Sequence, residues 1–285
     1  MVAAPGRWNA WARSELDGIR AAGRWRSPRT FDAKGPEGTI DGRHVVSFAS
    51  NDYLGLSAQP QVVAAAHDAL DRWGAGSTAS RLVVGSRPCH EELEAEIAGW
   101  KGTDRAVVLP TGYAANLAVL GALGGPGVTV LSDELNHASI IDGCRLSRSE
   151  VRVYRHRDLD HLEELLAAAG PRTIVVTDSV FSMDGDTAPV DDLARLCAGA
   201  GALLVLDEAH AVLGPDLHDG HEGLELLRVG TLSKSLGSLG GWVAGSAPLV
   251  ELLVNRARPY IFTTAPTPAD VAAALIQQAL GQKLT

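Results

Sequence analysis

From Val45 onward, short apolar runs alternate with stretches in which apolar residues recur at helical spacing. The runs predict strands at 105–109, 128–131, 151–154, 173–177, 202–206, 227–229 and 242–244. The spacing predicts helices at 61–73, 91–100, 113–123, 139–146, 159–169, 190–199 and 249–257. Several strands, Leu203-Leu204-Val205-Leu206 among them, are apolar throughout, as strands buried on both faces are. Such alternation predicts an α/β fold with a mostly parallel central sheet and helices on both faces. Ligands then bind beyond the carboxyl ends of the strands, so the segments that follow each strand are where chemistry is expected.

Ahead of this region the pattern changes. Trp8, Trp11, Leu16 and Ile19 fall near helical spacing with Arg and Glu between them, which predicts an amphipathic helix over 8–26 acting as a packing arm. Pro28 to Gly42, rich in Gly, Pro and charge, reads as a linker or hairpin. The chain thus divides into an N-terminal arm and linker (1–44) and a large domain from residue 45 onward.

Composition narrows the classes. The net charge of −9, from 34 acidic against 25 basic residues, argues against a nucleic-acid partner. Cys89, Cys144 and Cys197 are scattered and show no zinc spacing, which fits a reducing cytoplasm and predicts no metal. No apolar run approaches the ~20 residues needed to span a bilayer, and the first residues have no continuous apolar export segment, so a soluble protein without a membrane partner is expected.

The candidate chemistry follows the strands. Asp207 closes the run 203–206, in Asp207-Glu208-Ala209-His210. Lys234 sits among small hydroxyl residues and glycines in Thr231-Leu232-Ser233-Lys234-Ser235-Leu236-Gly237. A lysine amine set for chemistry and an aspartate at a buried strand end suggest pyridoxal phosphate, the lysine as Schiff-base partner and the aspartate holding the pyridine nitrogen protonated. Taken alone, each has a plainer reading, a surface charge and a helix cap. Thr111-Gly112-Tyr113 opens a helix after another strand, where unpaired N–H groups form a phosphate site. His137 follows a third strand and offers a flat ring for stacking, though a lone loop histidine is more often a turn residue. His210 faces the same end of the sheet if a helix begins at Asp207. The acids of 178–186 hint at a calcium loop, but the later glutamate of that motif is missing. Neither a P-loop nor a GxSxG or HExxH motif occurs.

With Ser50-Asn51-Asp52-Tyr53-Leu54-Gly55-Leu56, Ser80–Gly85, Thr111–Asn116, His137-Ala138-Ser139, Val180–Asp186, Asp207–His210 and Thr231–Gly237 in this order, the chain resembles the α-oxoamine synthase family of fold-type-I pyridoxal-phosphate enzymes. The resemblance implies the aspartate aminotransferase-like large domain over 45–265, with 266–285 the start of a truncated C-terminal domain. It also implies that Lys234 is the Schiff-base lysine, Asp207 the pyridinium partner and His137 the stacking ring. Ser182 and His210 would contact the ring's oxygen side, and Gly112, Tyr113 and Thr231 the phosphate. Asn51 would lie near the substrate, Arg24 near the acyl carboxylate, and Thr263 or Thr264 would reach the phosphate site of a partner subunit in a homodimer. The implied reaction is a decarboxylative condensation of an amino acid with an acyl thioester on coenzyme A or a carrier protein. Among family members the one that uses alanine and a pimeloyl group in biotin synthesis is the nearest; glycine-using and secondary-metabolite members, or a catalytically incomplete fragment, are the alternatives. The arginine that grips the amino-acid carboxylate in relatives would lie beyond Thr285. Ala211-Val212-Leu213-Gly214 replaces a glycine-richer run of the family.

Overall fold

The computed structural model describes residues 6–211, 217 and 221–281, so Val212-Leu213-Gly214 and the end of segment 266–285 lie outside the described residues. The chain separates into two compact units, 1–48 and 49–285.

In the first unit, helix α1 (Arg7–Ala21) stops five residues before its predicted end. Gly23 adopts a left-handed φ of 66°, and its N–H and that of Arg24 turn back onto Arg20 and Ile19, closing the helix. None of its residues is buried, and Trp8 and Trp11 meet edge to face at 5.6 Å. The segment after Pro28 forms an antiparallel sheet of β1 (Asp32–Ala33), β2 (Glu37–Ile40) and β3 (Arg43–Val46). Asp41-Gly42, both at positive φ, make the tight β2–β3 hairpin.

The second unit begins with a 3-10 turn at Leu56–Ala58, α2 (Pro60–Trp73), a π-helical turn at Arg81–Gly85 and α3 (Pro88–Lys101). There follow β4 (Arg105–Leu109), α4 (Gly112–Leu123), β5 (Thr129–Asp133), α5 (Ala138–Ser147), β6 (Glu150–Tyr154), α6 (Leu159–Ala167), β7 (Thr173–Asp178), α7 (Val190–Ala200) and β8 (Leu203–Asp207). The described chain closes with β9 (Glu225–Thr231), β10 (Gly241–Gly245), α8 (Ala247–Arg256), α9 (Arg258–Ile261) and α10 (Pro268–Gly281). No described helix is long and apolar enough to cross a membrane.

Seven strands form one sheet in the order β4-β10-β9-β8-β7-β5-β6, with β10 antiparallel to both its neighbours and the others parallel. Alternate residues of each strand feed opposite layers. Val130, Ile174, Val176, Val205 and Val229 pack under α4, α5, α8 and α9. Leu131, Val175, Leu204 and Leu206 face α6 and α7. Ala106, Val108, Trp242 and Ala244 face α3 and α10. Burial on both faces is why these strands read as unbroken apolar runs. It also concentrates polar residues toward the strand ends, and all the parallel strands end on one side of the molecule.

Candidate functional site

Five strand ends and the turns that follow them surround a cavity of about 230 Å³. Its wall includes Thr111, Gly112, Tyr113, Asn116, His137, Ser139, Asp178, Asp207, Ala209, His210, Thr231, Ser233 and Lys234. Seven residues singled out in the sequence thus meet at one place: Gly112, Tyr113, His137, Asp207, His210, Thr231 and Lys234. Asp207-Glu208-Ala209-His210 is a turn, not a helix start, and that turn brings His210 to the same end of the sheet.

At its centre Lys234 Nζ lies 2.7 Å from His210 Nε2. Burial pulls the lysine below its usual range, although Asp207 and Asp178 oppose the shift. Burial, and then the lysine's charge, push His210 down to about 4, which keeps the imidazole neutral near neutral pH. Asp207 is buried at 5 % exposure. Its two oxygens are fixed separately, Oδ2 by Asn116 Nδ2 at 2.6 Å and Oδ1 by the Ala209 N–H at 2.9 Å. Asn116 Nδ2 also reaches Ser139 Oγ at 2.9 Å.

His137 precedes α5 as its N-cap, and its Nδ1 accepts from the Ser139 N–H at 3.2 Å. Its own backbone N–H donates to Asp178 Oδ2 at 2.7 Å. On the opposite wall Thr111 caps α4, accepting the Ala114 N–H at 3.0 Å. The leading N–H groups of α4, at Gly112 and Tyr113, have no carbonyl of their own helix to bond. A Cβ at Gly112 would stand 3.0 Å from Thr231 Cβ, so glycine is what allows the two turns to close together. The Tyr113 hydroxyl is tied to Asp142 outside the cavity.

These groups fit pyridoxal phosphate. A helix N-terminus beside a hydroxyl suits the phosphate, and a buried, doubly fixed carboxylate suits a protonated ring nitrogen. A half-buried lysine of lowered pKa suits the aldehyde carbon. Asn116 Oδ1, on the residue that lines the cavity, is buried and without a partner among the described residues.

Other predicted residues are not on the cavity wall. Ser182 is exposed in the loop after β7, and Thr263 and Thr264 follow α9. Arg24 is an exposed residue of the first unit. Asn51 is exposed and touches the site indirectly, by accepting from the Tyr53 hydroxyl. The sequence reading missed Asp178, Asn116, Ser139 and Tyr53. Asp178 carried a usable signal, since β7 is an apolar run ending in aspartate just as β8 is.

The sequence model of the family described as Aminotransferase class I and II matches residues 43–284. The 8-amino-7-oxononanoate synthase of Anaeromyxobacter sp. (strain K) is 51 % identical over 274 residues, covering 93 % of this chain and 69 % of the relative. That of Methylobacterium sp. (strain 4-46) is 48 % identical, covering 94 % and 70 %. Among solved structures, a serine palmitoyltransferase from S. paucimobilis carrying pyridoxal phosphate and myriocin superposes with a TM-score of 0.87 at 30 % identity, covering 96 % of this chain and 72 % of that one.

Proposed function

Because the chain belongs to the class I and II aminotransferase family and, within it, to the pyridoxal-phosphate-dependent α-oxoamine synthases of biotin synthesis, we propose that it condenses L-alanine with a pimeloyl thioester, on coenzyme A or a carrier protein, to give 8-amino-7-oxononanoate and CO₂. The observation that carries this reading is the convergence of Lys234, Asp207, His137 and His210 with the N-terminus of α4 on one cavity.

Bound pyridoxal phosphate supplies an aldehyde for an amine and a ring that takes up electrons from the amino acid's Cα. The protein's residues supply the rest. The N–H groups of Gly112 and Tyr113, with the Thr231 hydroxyl, hold the phosphate. Asp207, aimed by Asn116 and Ala209, keeps a proton on the ring nitrogen. His137, set by Ser139 and Asp178, forms the flat wall of the site. Lys234 Nζ would take the Cα proton of the bound amino acid, and its lowered pKa makes the neutral amine available for that role. His210 Nε2 accepts a hydrogen bond from that amine and keeps its lone pair directed. Ser182, Asn51 and Thr263 or Thr264, which are off the cavity wall, would keep the roles the resemblance implies, toward the ring oxygen, the substrate and a partner subunit's phosphate.

The test is the visible spectrum of the chain with pyridoxal phosphate, followed by product analysis after adding pimeloyl-CoA with alanine, glycine or serine. A lysine-bound cofactor band that shifts with alanine, together with 8-amino-7-oxononanoate as the product, is expected. Product from glycine or serine alone would reassign the amino acid. Lys234→Ala is expected to abolish both band and product, and turnover retained in that variant would overturn the assignment of the lysine.

A further inference from the structure

The polar chain that begins at Lys234 does not end at His210. His210 Nε2 faces the lysine, while its other ring nitrogen, Nδ1, lies 2.8 Å from the Tyr53 hydroxyl. That hydroxyl donates to Asn51 Oδ1 at 3.0 Å. An amide oxygen only accepts, so the single phenolic hydrogen is committed to Asn51 and the phenolic oxygen accepts from His210 Nδ1–H. A neutral imidazole carries one hydrogen, so Nε2 presents its lone pair to Lys234. Tyr53 is half exposed, so the chain runs from a half-buried amine to a group that water reaches.

Building on the reading of Lys234 as the reactive amine, we infer that Tyr53 is the solvent end of a proton relay that serves Lys234 through His210. As Lys234 sheds a proton, His210 Nε2 takes it, Nδ1 gives its hydrogen to the Tyr53 oxygen, and the phenolic hydrogen turns from Asn51 Oδ1 and leaves to water. One proton enters and one leaves. The amine, imidazole and phenol all end neutral, with the imidazole in the other tautomer, and a returning proton restores the start by the same path. The surroundings suit each group to its part. Burial and the charge of Lys234 keep His210 uncharged against the opposing pull of Asp207, with His137 also lowering it. Burial raises the Tyr53 phenol, so it stays protonated. Tyr53 acts through His210, and the phenol oxygen is the feature that matters.

Two measurements test this. In the cofactor-free chain, at a pH where Lys234 carries its proton, histidine nitrogen NMR is expected to show His210 as the Nδ1–H tautomer; an Nε2–H tautomer under that condition overturns the relay, because Nε2 could not then accept. In Tyr53→Phe, which keeps the ring, capture of pyridoxal phosphate by the cofactor-free chain is expected to slow by at least about tenfold. Its equilibrium affinity should stay within about twofold, and imidazole added to the solution should restore the rate in proportion to its concentration. An unchanged rate, or a slowed rate that imidazole leaves unrestored, overturns it. If the parent chain captures no cofactor at Lys234, the reading of that lysine fails instead, and the tautomer still decides the relay.

Discussion

Asp178 and Asp207 are register partners at the tips of adjacent strands, both buried at 5 % exposure. Burial first, and then the charge of Asp207, push Asp178 up to about 8. The folded chain therefore keeps a proton on Asp178 that the unfolded chain releases near about pH 4. Between about pH 4 and about pH 8 folding takes up that proton, so this group's contribution to stability declines as pH rises through the window and levels off above it. Asp178→Asn keeps an acceptor for the His137 N–H but removes the titration. In cofactor-free protein the parent's melting temperature is expected to fall relative to the variant's as pH rises from about 5 to about 8. Parallel curves would sink the idea. Lys234, Asp207, His137 and His210 were legible in the sequence because each follows a strand within a recognisable local motif. Tyr53 and Asn116 were not, because each acts through a partner far along the chain, 157 residues away for Tyr53–His210 and 91 for Asn116–Asp207. No local spacing encodes such pairs.

Among the elements, every strand and helix predicted for the large domain is present, with ends shifted by a few residues. The largest strand error is β9, read as 227–229 but extending over Glu225–Thr231. The residues missed are its ends, Glu225-Leu226 and Gly230-Thr231, while Arg228 within the predicted run pairs with buried Glu208 at 2.7 Å, and Glu208 also holds buried Lys101 at 2.6 Å. Periodicity counts such residues as solvent-facing, although here charges satisfy one another inside the fold. The closeness of β10 to the β4–α4 turn was equally invisible. A Cβ on Gly241 would meet Thr111 O at 2.3 Å and Gly112 N at 2.6 Å, both backbone atoms that cannot rotate away. Gly241→Ala is expected to lower unfolding free energy by about 1–3 kcal/mol and to weaken cofactor affinity by displacing the phosphate-facing turn. Gly121, on α4 with open space at its Cβ, is the contrast. Gly121→Ala is expected to stabilise by about 0.5–1 kcal/mol with cofactor affinity unchanged. Urea unfolding and a cofactor titration check both, and equal effects of the two substitutions would refute the close-approach argument.

For the whole molecule, fold class was legible but strand order was not, since β4 and β10 pair across nearly half the chain. The same long-range folding creates one surface that the sequence did not announce. The π-helical turn carries Leu82, Val83 and Val84 at 52, 73 and 66 % exposure. Arg81, buried at its root, is gripped by Glu94 through two hydrogen bonds of 2.7 and 3.1 Å and by Ser86 at 2.8 Å, so the turn is held in an outward display. The Arg81 guanidinium lies 5.7 Å from the ring of Tyr260 in α9, which is followed by Phe262 at 69 % exposure and then by Thr263 and Thr264. Apolar groups held rigidly toward water cost stability unless something covers them. We propose that a second copy of the chain does, and that Thr263 and Thr264, which are not on the wall of the candidate site, serve that copy's phosphate site. Sedimentation is expected to give a mass near twice the 29.8 kDa of one chain. Val83→Glu, which places a charge at the centre of the surface, is expected to shift the protein toward monomer and to weaken cofactor affinity in step. A parent chain that is monomeric at every concentration, or a monomeric variant with full cofactor affinity, would separate the surface from the site and leave Thr263 and Thr264 without that role.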